Sequence, residues 1–234
     1  MKKSYKNLLR AGFPLVSWNV LGQMTPSQAL TLQNLGVIRS LNKGDFVFRS
    51  GDNTGSAYFL KSGKIKVSQS VSNGKEVILW FCFGGDVFGL AEAVQFGERE
   101  VSAQACAPSE VLCITQESFN HFLFENPQIM FLLLQIMSSR LRSLSESLVN
   151  VAGEKVDIRF ARLICWMCTR YGQNKEDEVS MNVQLTHQEI ADMIGATRQT
   201  VTTLIGKLKK EQVLEIRDHT IHIVDKVKLC AMLN

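Results

Sequence analysis

The chain has 234 residues, of which 45% are hydrophobic and 21% charged, so one large domain or two modest ones can bury a core without disulfides or a structural metal. Its net charge of +4 permits a polyanionic partner without requiring one. The most apolar run, Ile129 to Met137, is too short to cross a bilayer, and the residues after Met1-Lys2-Lys3 do not resemble a signal peptide. We therefore expect a cytoplasmic protein with no membrane partner, in which the six cysteines are reduced thiols.

Short β-rich segments between about Val37 and Ile114 predict an antiparallel barrel or roll. A helix start at Thr25-Pro26-Ser27-Gln28 precedes them, with Thr as the cap and Pro in the first turn. Glycine-containing turns such as Lys43-Gly44-Asp45 separate the segments, and Asn73-Gly74 between apolar residues is a strong hairpin signal. Many short strands with frequent turns favour a closed antiparallel architecture over a parallel sheet.

From about Gln116 onward the pattern becomes helical. A short helix over Ser118–Phe124 ends near Asn126-Pro127, and a long helix follows. Its apolar residues alternate spacings of four and three, which is an a/d heptad register sustained for about three heptads. These residues are Met130, Leu134, Met137, Leu141, Leu144, Leu148 and Val151. Because so narrow a seam is best buried against a copy of itself, we predict a homodimer; packing of the helix along its own barrel is the alternative.

A break at Gly153–Asp157 separates the long helix from a second one, which Asp157 can cap. The polar run Gly172–Asp177 predicts a loop. After it, Val179, Met181, Val183 and Leu185 alternate with polar residues, which predicts a strand with one buried face.

The segment from Leu185 to Val213 has the layout of a helix-turn-helix. Thr186 opens a capping box with Glu189, Gly195 stands where the turn favours a left-handed backbone, and Thr197 can cap a second helix over 198–211. An arginine can bond a guanine, a glutamine can pair with an adenine, and hydroxyl or ammonium groups suit phosphates. The candidate DNA-contacting residues are Thr186, His187, Thr197, Arg198, Gln199, Thr200, Thr203 and Lys207.

An ordinary two-helix packing unit would explain the apolar spacing alone. The compact turn, the two capped helix starts and the basic outward-facing residues together favour DNA binding. Val213–Ile216 and Thr220–Val224 also predict a hairpin, which would form the wing of a winged helix.

Over nearly its whole length the sequence resembles the CRP/FNR superfamily of transcription regulators. The resemblance implies an α+β fold: an N-terminal antiparallel β-roll of the cyclic-nucleotide-binding type, a long dimerisation helix and a C-terminal winged helix-turn-helix. It implies residues 1–126, 127–155 and 156–234 for these three parts. The matching stretches are Lys43-Gly44-Asp45 to Gly51-Asp52, Gly63-Lys64-Ile65-Lys66-Val67, Phe83-Gly84-Gly85-Asp86, and Leu185-Thr186-His187-Gln188-Glu189-Ile190-Ala191 through Thr197-Arg198-Gln199-Thr200-Val201.

The family implies double-stranded DNA, a second copy of the chain and RNA polymerase as partners. Its dimers bind near-palindromic sites, and Arg198, Gln199 and Thr203 match the base-reading positions. The family often has Glu where Gln199 stands and Arg where Thr203 stands, so the usual half-site is not expected here.

The sensor departs from the cyclic-nucleotide pattern of this family. Its nucleotide-binding members have a Glu after the glycine that matches Gly89 and an Arg before a Ser/Thr-Ala pair, whereas Leu90 and Val101 occupy these positions here. Apolar residues cannot supply the charge-assisted contacts that cAMP or cGMP needs. An iron–sulfur centre of the FNR type is also not expected, because no cysteine precedes Cys82.

A second resemblance is to the nitrogen regulators of the family that bind 2-oxoglutarate. It rests on Phe88-Gly89-Leu90, Arg99 and Ser138-Ser139-Arg140, and two guanidinium groups facing two carboxylates make chemical sense. This implies a dicarboxylate site of Phe88, Gly89, Leu90, Arg99 and Arg140; solvated or ion-paired arginines are the alternative.

Haem or a redox thiol stays open as another effector, and no metal site is predicted. The side chains available in or beside the sensor are His121, Cys82, Cys106 and Cys113. Cys165-x-x-Cys168 lies in an apolar helix with no second pair to complete a zinc site, so core packing is expected.

The sequence therefore predicts a DNA-binding regulator and not an enzyme, because no nucleophile, base and orienting group occur in a recognisable motif. The effector itself is unknown at this stage. The alternative function is a ligand-independent DNA-binding regulator whose roll is only a dimerisation scaffold.

Overall fold

The N-terminal part of the protein is a β-roll of eight strands. The computed structural model describes residues 19–71, 76–95, 97–175, 178–181, 184–217 and 220–233. A single 3₁₀ turn (Leu21–Gln23) and helix α1 (Pro26–Asn34) come first, and the predicted cap is present, since Thr25 and Gln28 form a reciprocal capping box. The strands are β1 (Gly36–Leu41), β2 (Phe46–Phe48), β3 (Ala57–Ser62), β4 (Lys64–Ser70), β5 (Glu76–Phe83), β6 (Val87–Phe88), β7 (Ser102–Ala105) and β8 (Ser109–Ile114).

These strands form two four-stranded sheets, in the orders β1-β8-β3-β6 and β2-β7-β4-β5, and every pairing is antiparallel. Strands β4 and β5 pair as the predicted hairpin, although Asn73-Gly74 lies outside the described residues. The inward side chains of both sheets make one apolar core: Leu41, Val47, Phe48, Tyr58, Leu60, Ile65, Val67, Cys82, Phe88, Ala103, Ala105 and Val111. Helix α2 (Leu90–Val94) lies between β6 and β7, and helix α3 (Gln116–Glu125) follows β8.

The heptad segment is one long helix, α4 (Pro127–Gly153). Ile129, Leu133 and Ile136 are buried on one side of it. The a/d residues predicted as a dimer seam lie on another side, where Leu134 is 60%, Leu141 68% and Leu148 73% exposed in the protomer. The exposed apolar row shows that the protomer itself does not bury this face.

The C-terminal part is a second α+β assembly. Helix α5 (Val156–Tyr171) is followed by β9 (Gly172–Lys175), β10 (Glu178–Met181), α6 (His187–Ile194), α7 (Arg198–Lys210), β11 (Leu214–Arg217), β12 (Thr220–Ile223) and α8 (Lys226–Ala231). The four strands form one antiparallel sheet in the order β11-β12-β10-β9. The sheet includes the predicted wing hairpin, β11 and β12, and the predicted strand at Val179 and Met181; Val183 lies outside the described residues.

Two local predictions were wrong. Gly172–Lys175 is a strand and not a loop; it pairs with β10 at the edge of the sheet, where a polar sequence is tolerated because the strand has only one neighbour. Asp157 does not cap α5, which already begins at Val156, and its carboxylate accepts a hydrogen bond from the Ile158 N–H (3.0 Å) within the first turn.

Contacts along the chain divide it into two compact units within α4. One unit contains the described residues up to Ser139, and the other contains those from Arg140 onward. The three-part boundaries predicted from the sequence stay a prediction.

Candidate functional site

The two helices α6 and α7 form a helix-turn-helix whose starts are fixed by threonine caps. The Thr186 hydroxyl accepts from the Glu189 N–H (3.1 Å), while the Glu189 carboxylate accepts from the Thr186 N–H (2.7 Å), as the capping box predicts. The Thr197 hydroxyl accepts from the Thr200 N–H (3.1 Å). Between the helices, Gly195 has a φ of 63°, the left-handed conformation that glycine adopts without strain.

Helix α7 buries one face and exposes the other. Val201, Ile205 and Leu208 are buried, whereas the side chains at the exposed start of the helix are Arg198 and Gln199. The amino-terminal end of a helix carries partial positive charge, which favours a nearby phosphate. This end of α7 therefore combines a positive field with two side chains that can pair with base edges.

The remaining candidate DNA-contacting residues surround this start. His187 Nδ1 lies 2.9 Å from the Thr202 hydroxyl, which joins α6 to α7, and the Thr203 hydroxyl donates to the Gln199 carbonyl (3.0 Å). Lys207 is exposed about two and a half turns after Arg198 along α7. The structure thus places the predicted residues in or next to the two helices of the helix-turn-helix, while their contacts with DNA stay a prediction.

In the β-roll, three of the predicted effector residues, Phe88, Gly89 and Arg99, lie together at a buried guanidinium group. Arg99 Nη1 donates to the Gly89 carbonyl (2.9 Å) and to the Glu92 carboxylate (2.5 Å), and Nη2 donates to the Ser56 carbonyl (2.6 Å). Nε reaches the Thr54 hydroxyl at 3.3 Å. The Arg99 side chain is fully buried, so the ion-paired alternative describes its state in this structure.

Aromatic rings enclose the same guanidinium group. Its carbon lies 4.3 Å from the ring centre of Phe48 and 5.4 Å from that of Tyr58, and Phe88 stacks on both rings. Gly89 has a φ of 69°, and a Cβ there would come within 2.8 Å of Tyr58 and 3.1 Å of Arg99. Only glycine fits this position, because both the backbone conformation and the space require it.

Sequence reasoning missed Glu92, the carboxylate that pairs with Arg99. Its only signal was an acidic residue three positions after Gly89, in a segment too short to show a period. Leu90 is buried in α2, the short helix that also carries Glu92. Arg140 is also buried, but it belongs to the other compact unit, so its participation in a common site with Arg99 stays a prediction.

The residues considered for haem or thiol chemistry are dispersed. His121 lies on the exposed side of α3, 3.4 Å from the Glu125 carboxylate. Burial raises the pKa of the Cys113 thiol, and the nearby Arg39 offsets this only in part. A high pKa disfavours the thiolate, which is the reactive form.

Within the described ranges, no three His, Cys, Asp or Glu side chains are placed to share a metal ion. None of the helices in those ranges combines the length and the apolar character that a bilayer span requires.

Comparison with known proteins assigns a domain family to each half of the chain. Residues 38–126 match the cyclic nucleotide-binding domain family, and residues 158–232 match the Crp-like helix-turn-helix domain family. The global nitrogen regulator of Synechocystis sp. is 29% identical over 195 residues, covering 82% of this chain and 87% of the relative. The transcriptional activator protein Anr of Pseudomonas protegens is 25% identical over 194 residues, covering 83% and 79%.

Two solved structures share the fold. A CooA mutant from Carboxydothermus hydrogenoformans superposes with a TM-score of 0.76 at 20% identity, covering 87% of this chain and 90% of that one. FixK2 from Bradyrhizobium japonicum superposes with a TM-score of 0.73 at 18% identity, covering 84% and 96%. The order of the two domain families, the relatives and the helix-turn-helix geometry agree: the chain belongs to the CRP/FNR superfamily of DNA-binding transcription regulators.

Proposed function

We propose that this regulator is a homodimer that binds near-palindromic promoter sites, with one copy of α7 in the major groove of each half-site. The observation that carries the proposal is the exposed start of α7, which presents the side chains of Arg198 and Gln199. Thr197 caps this helix, and its other face is buried in the protein. Arg198 would pair with a guanine, and Gln199 with an adenine. Thr186, His187, Thr197, Thr200 and Lys207 would position the helix on phosphates, and Thr203 would reach a third base.

The exposed apolar row on α4 would form the dimer interface. Leu134, Leu141 and Leu148 are each more than half exposed in the protomer, which is costly for a row of leucines unless a partner covers it. Met130 and Leu144 are also exposed, Met137 is half-buried, and the side chain of Val151 is outside the described residues. A heptad register is the pattern that two parallel helices bury. RNA polymerase would be the further protein partner, and the cytoplasm the site of action.

The β-roll would be the sensor, with an anionic effector as the ligand. A CRP-like relative from Mycobacterium tuberculosis, 24% identical over 187 residues, is described as cAMP-activated, which supports small-molecule control. In this chain Arg99 already holds the Glu92 carboxylate. A 2-oxoglutarate-like dicarboxylate would therefore have to exchange with Glu92 at Arg99, with Phe88, Gly89, Leu90 and Arg140 completing its site; haem is the second candidate.

In vitro selection from random-sequence duplexes tests the DNA-binding proposal. We expect an inverted repeat whose half-sites are centred one helical turn apart, roughly 34 Å. Binding should weaken steeply with salt, because contacts to phosphates release counterions. Recovery of no preferred sequence, or binding that is insensitive to salt, would reject the proposal.

Thermal shift measurements with 2-oxoglutarate, cAMP, cGMP and haem distinguish a regulator that an effector controls from a ligand-independent one. A shift with 2-oxoglutarate that disappears in Arg140→Ala supports the dicarboxylate site. A shift that Arg140→Ala leaves unchanged rejects that site. The absence of a shift with all four compounds favours the ligand-independent regulator.

A further inference from the structure

Three cysteines that play no part in the proposed DNA or effector sites lie on two packed helices of the C-terminal unit. Cys165 and Cys168 are three residues apart in α5 and therefore share a face of that helix. Cys230 lies in α8, which packs against α5. The Cys165 and Cys230 thiols each shift the pKa of the other, which requires the two side chains to lie close together across this helix pair.

The environments of the two neighbouring thiols differ, and they make Cys230 the nucleophile and Cys165 the proton donor. Cys165 is fully buried, whereas Cys230 is partly exposed to solvent. The hydrogen bond from Cys165 lowers the pKa of Cys230 to about 7, although burial opposes this shift. The same hydrogen bond, with burial, raises the pKa of Cys165.

The third thiol is held in its protonated form. Burial raises the pKa of Cys168 to about 12, with Lys226 opposing and Cys230 reinforcing the shift. Arg162 is the cation that acts on Cys165, but its effect is the smallest of those on that thiol. Only Cys230 therefore combines exposure to solvent with a large thiolate fraction near neutral pH.

We propose that Cys230 and Cys165 form an oxidation site in which a hydroperoxide converts the two thiols into a disulfide that links α8 to α5. The site would lie in the DNA-binding part of the chain and would act independently of any effector in the β-roll. A metal site is disfavoured by the same geometry, since the described residues contain no group of three ligands placed to hold an ion.

The reaction balances in two steps. The Cys230 thiolate attacks the distal oxygen of the hydroperoxide, the O–O bond breaks, and a proton converts the leaving group into an alcohol, or into water when the oxidant is hydrogen peroxide; Cys230 becomes a sulfenic acid. The Cys165 sulfur then attacks the Cys230 sulfur, and the sulfenic oxygen leaves as water with the proton from Cys165. In total, two thiols are oxidised by two electrons and one hydroperoxide is reduced.

The chain allows the bond to be mapped by mass spectrometry without any variant. Trypsin cleavage after Arg162, Arg170 and Lys228 places Cys165 and Cys168 in one peptide and Cys230 in another. After treatment of the full-length protein with hydrogen peroxide and alkylation of the remaining thiols, we expect a cross-linked peptide pair with Cys168 alkylated, and loss of the cross-link on adding dithiothreitol. A Cys165–Cys168 or Cys168–Cys230 bond, or Cys230 sulfinic acid with Cys165 still alkylated, would overturn the proposal.

Matched variants test the roles of the thiols. Cys230→Ser should abolish the cross-link, and Cys168→Ser should leave its yield unchanged. Alkylation of Cys230 by iodoacetamide should be half-maximal near pH 7 in the wild type, whose pKa is lowered to about 7, and Cys165→Ala should move this midpoint towards about 8.5, the value of an unperturbed thiol. A midpoint that does not move in Cys165→Ala, or a cross-link that persists in Cys230→Ser, would contradict the assignment.

Discussion

Removal of the Glu92 carboxylate should destabilise the β-roll far more than the loss of an ordinary ion pair. The Arg99 side chain is 0% exposed and that of Glu92 is 10% exposed, so Glu92→Ala would leave a buried cation without an anion. Breaking a buried pair in this way costs about 3–5 kcal/mol. We expect a value near the lower end, about 3 kcal/mol, because the hydrogen bonds from Arg99 to Ser56 and Gly89 remain.

Urea unfolding followed by the fluorescence of Trp80 measures this cost, because Trp80 lies in β5 of the roll. Phe replacements at Trp18 and Trp166 isolate its signal. With a slope of about 2 kcal/mol per M, the midpoint in Glu92→Ala should fall by about 1.5 M.

The matched control is the double variant Glu92→Ala/Arg99→Met. It should recover part of the lost stability, because replacing both partners of a buried pair by apolar groups is often nearly neutral. A loss below about 1 kcal/mol in Glu92→Ala, the range of exposed ion pairs, would refute the reasoning. So would a double variant that is less stable than Glu92→Ala.

Three further predictions concern other parts of the molecule. Leu141→Glu should raise the dimer dissociation constant at least tenfold in sedimentation equilibrium, whereas Phe124→Glu, which alters an exposed apolar residue outside the heptad register, should not. Thr197→Ala should destabilise the C-terminal unit by about 1 kcal/mol in thermal unfolding through loss of the α7 cap, and Thr197→Ser should restore it. Burial disfavours the Glu76 carboxylate, but hydrogen bonds from Lys66 and Ser68 outweigh this and lower its pKa; stability should therefore fall as the pH drops from 5 to 3, and Glu76→Gln should reduce that fall in urea titrations.

Features with a local cause could be predicted from the sequence. The capping box of Thr186 and Glu189 depends only on residues three apart, and the heptad row on α4 depends only on spacing within one helix. The helix-turn-helix could be located for the same reason, since its caps, its turn glycine and its buried stripe are contiguous. The resemblance to a known family then supplied the type of the N-terminal domain, a β-roll of the cyclic-nucleotide-binding type, which no local pattern contains.

Features that depend on pairing across the chain could not be predicted in this way. The Arg99 site needs the carbonyl of Ser56, 43 positions away, and no periodicity indicates which backbone group will lie there. The strand at Gly172–Lys175 has no apolar alternation, because it gains its stability from β10 beside it. The contact between Cys165 and Cys230 likewise exists only because α8 returns to pack on α5.

The central claim, that Arg198 reads a base from the start of α7, is tested most directly by the affinity of Arg198→Ala for the selected inverted repeat and for a random duplex of equal length. Fluorescence anisotropy at fixed salt should show a loss of about 1–3 kcal/mol per guanine contact on the repeat, tenfold or more in the dissociation constant, and a much smaller loss on the random duplex. Equal losses on both duplexes, or an unchanged affinity for the repeat, would contradict base reading by Arg198.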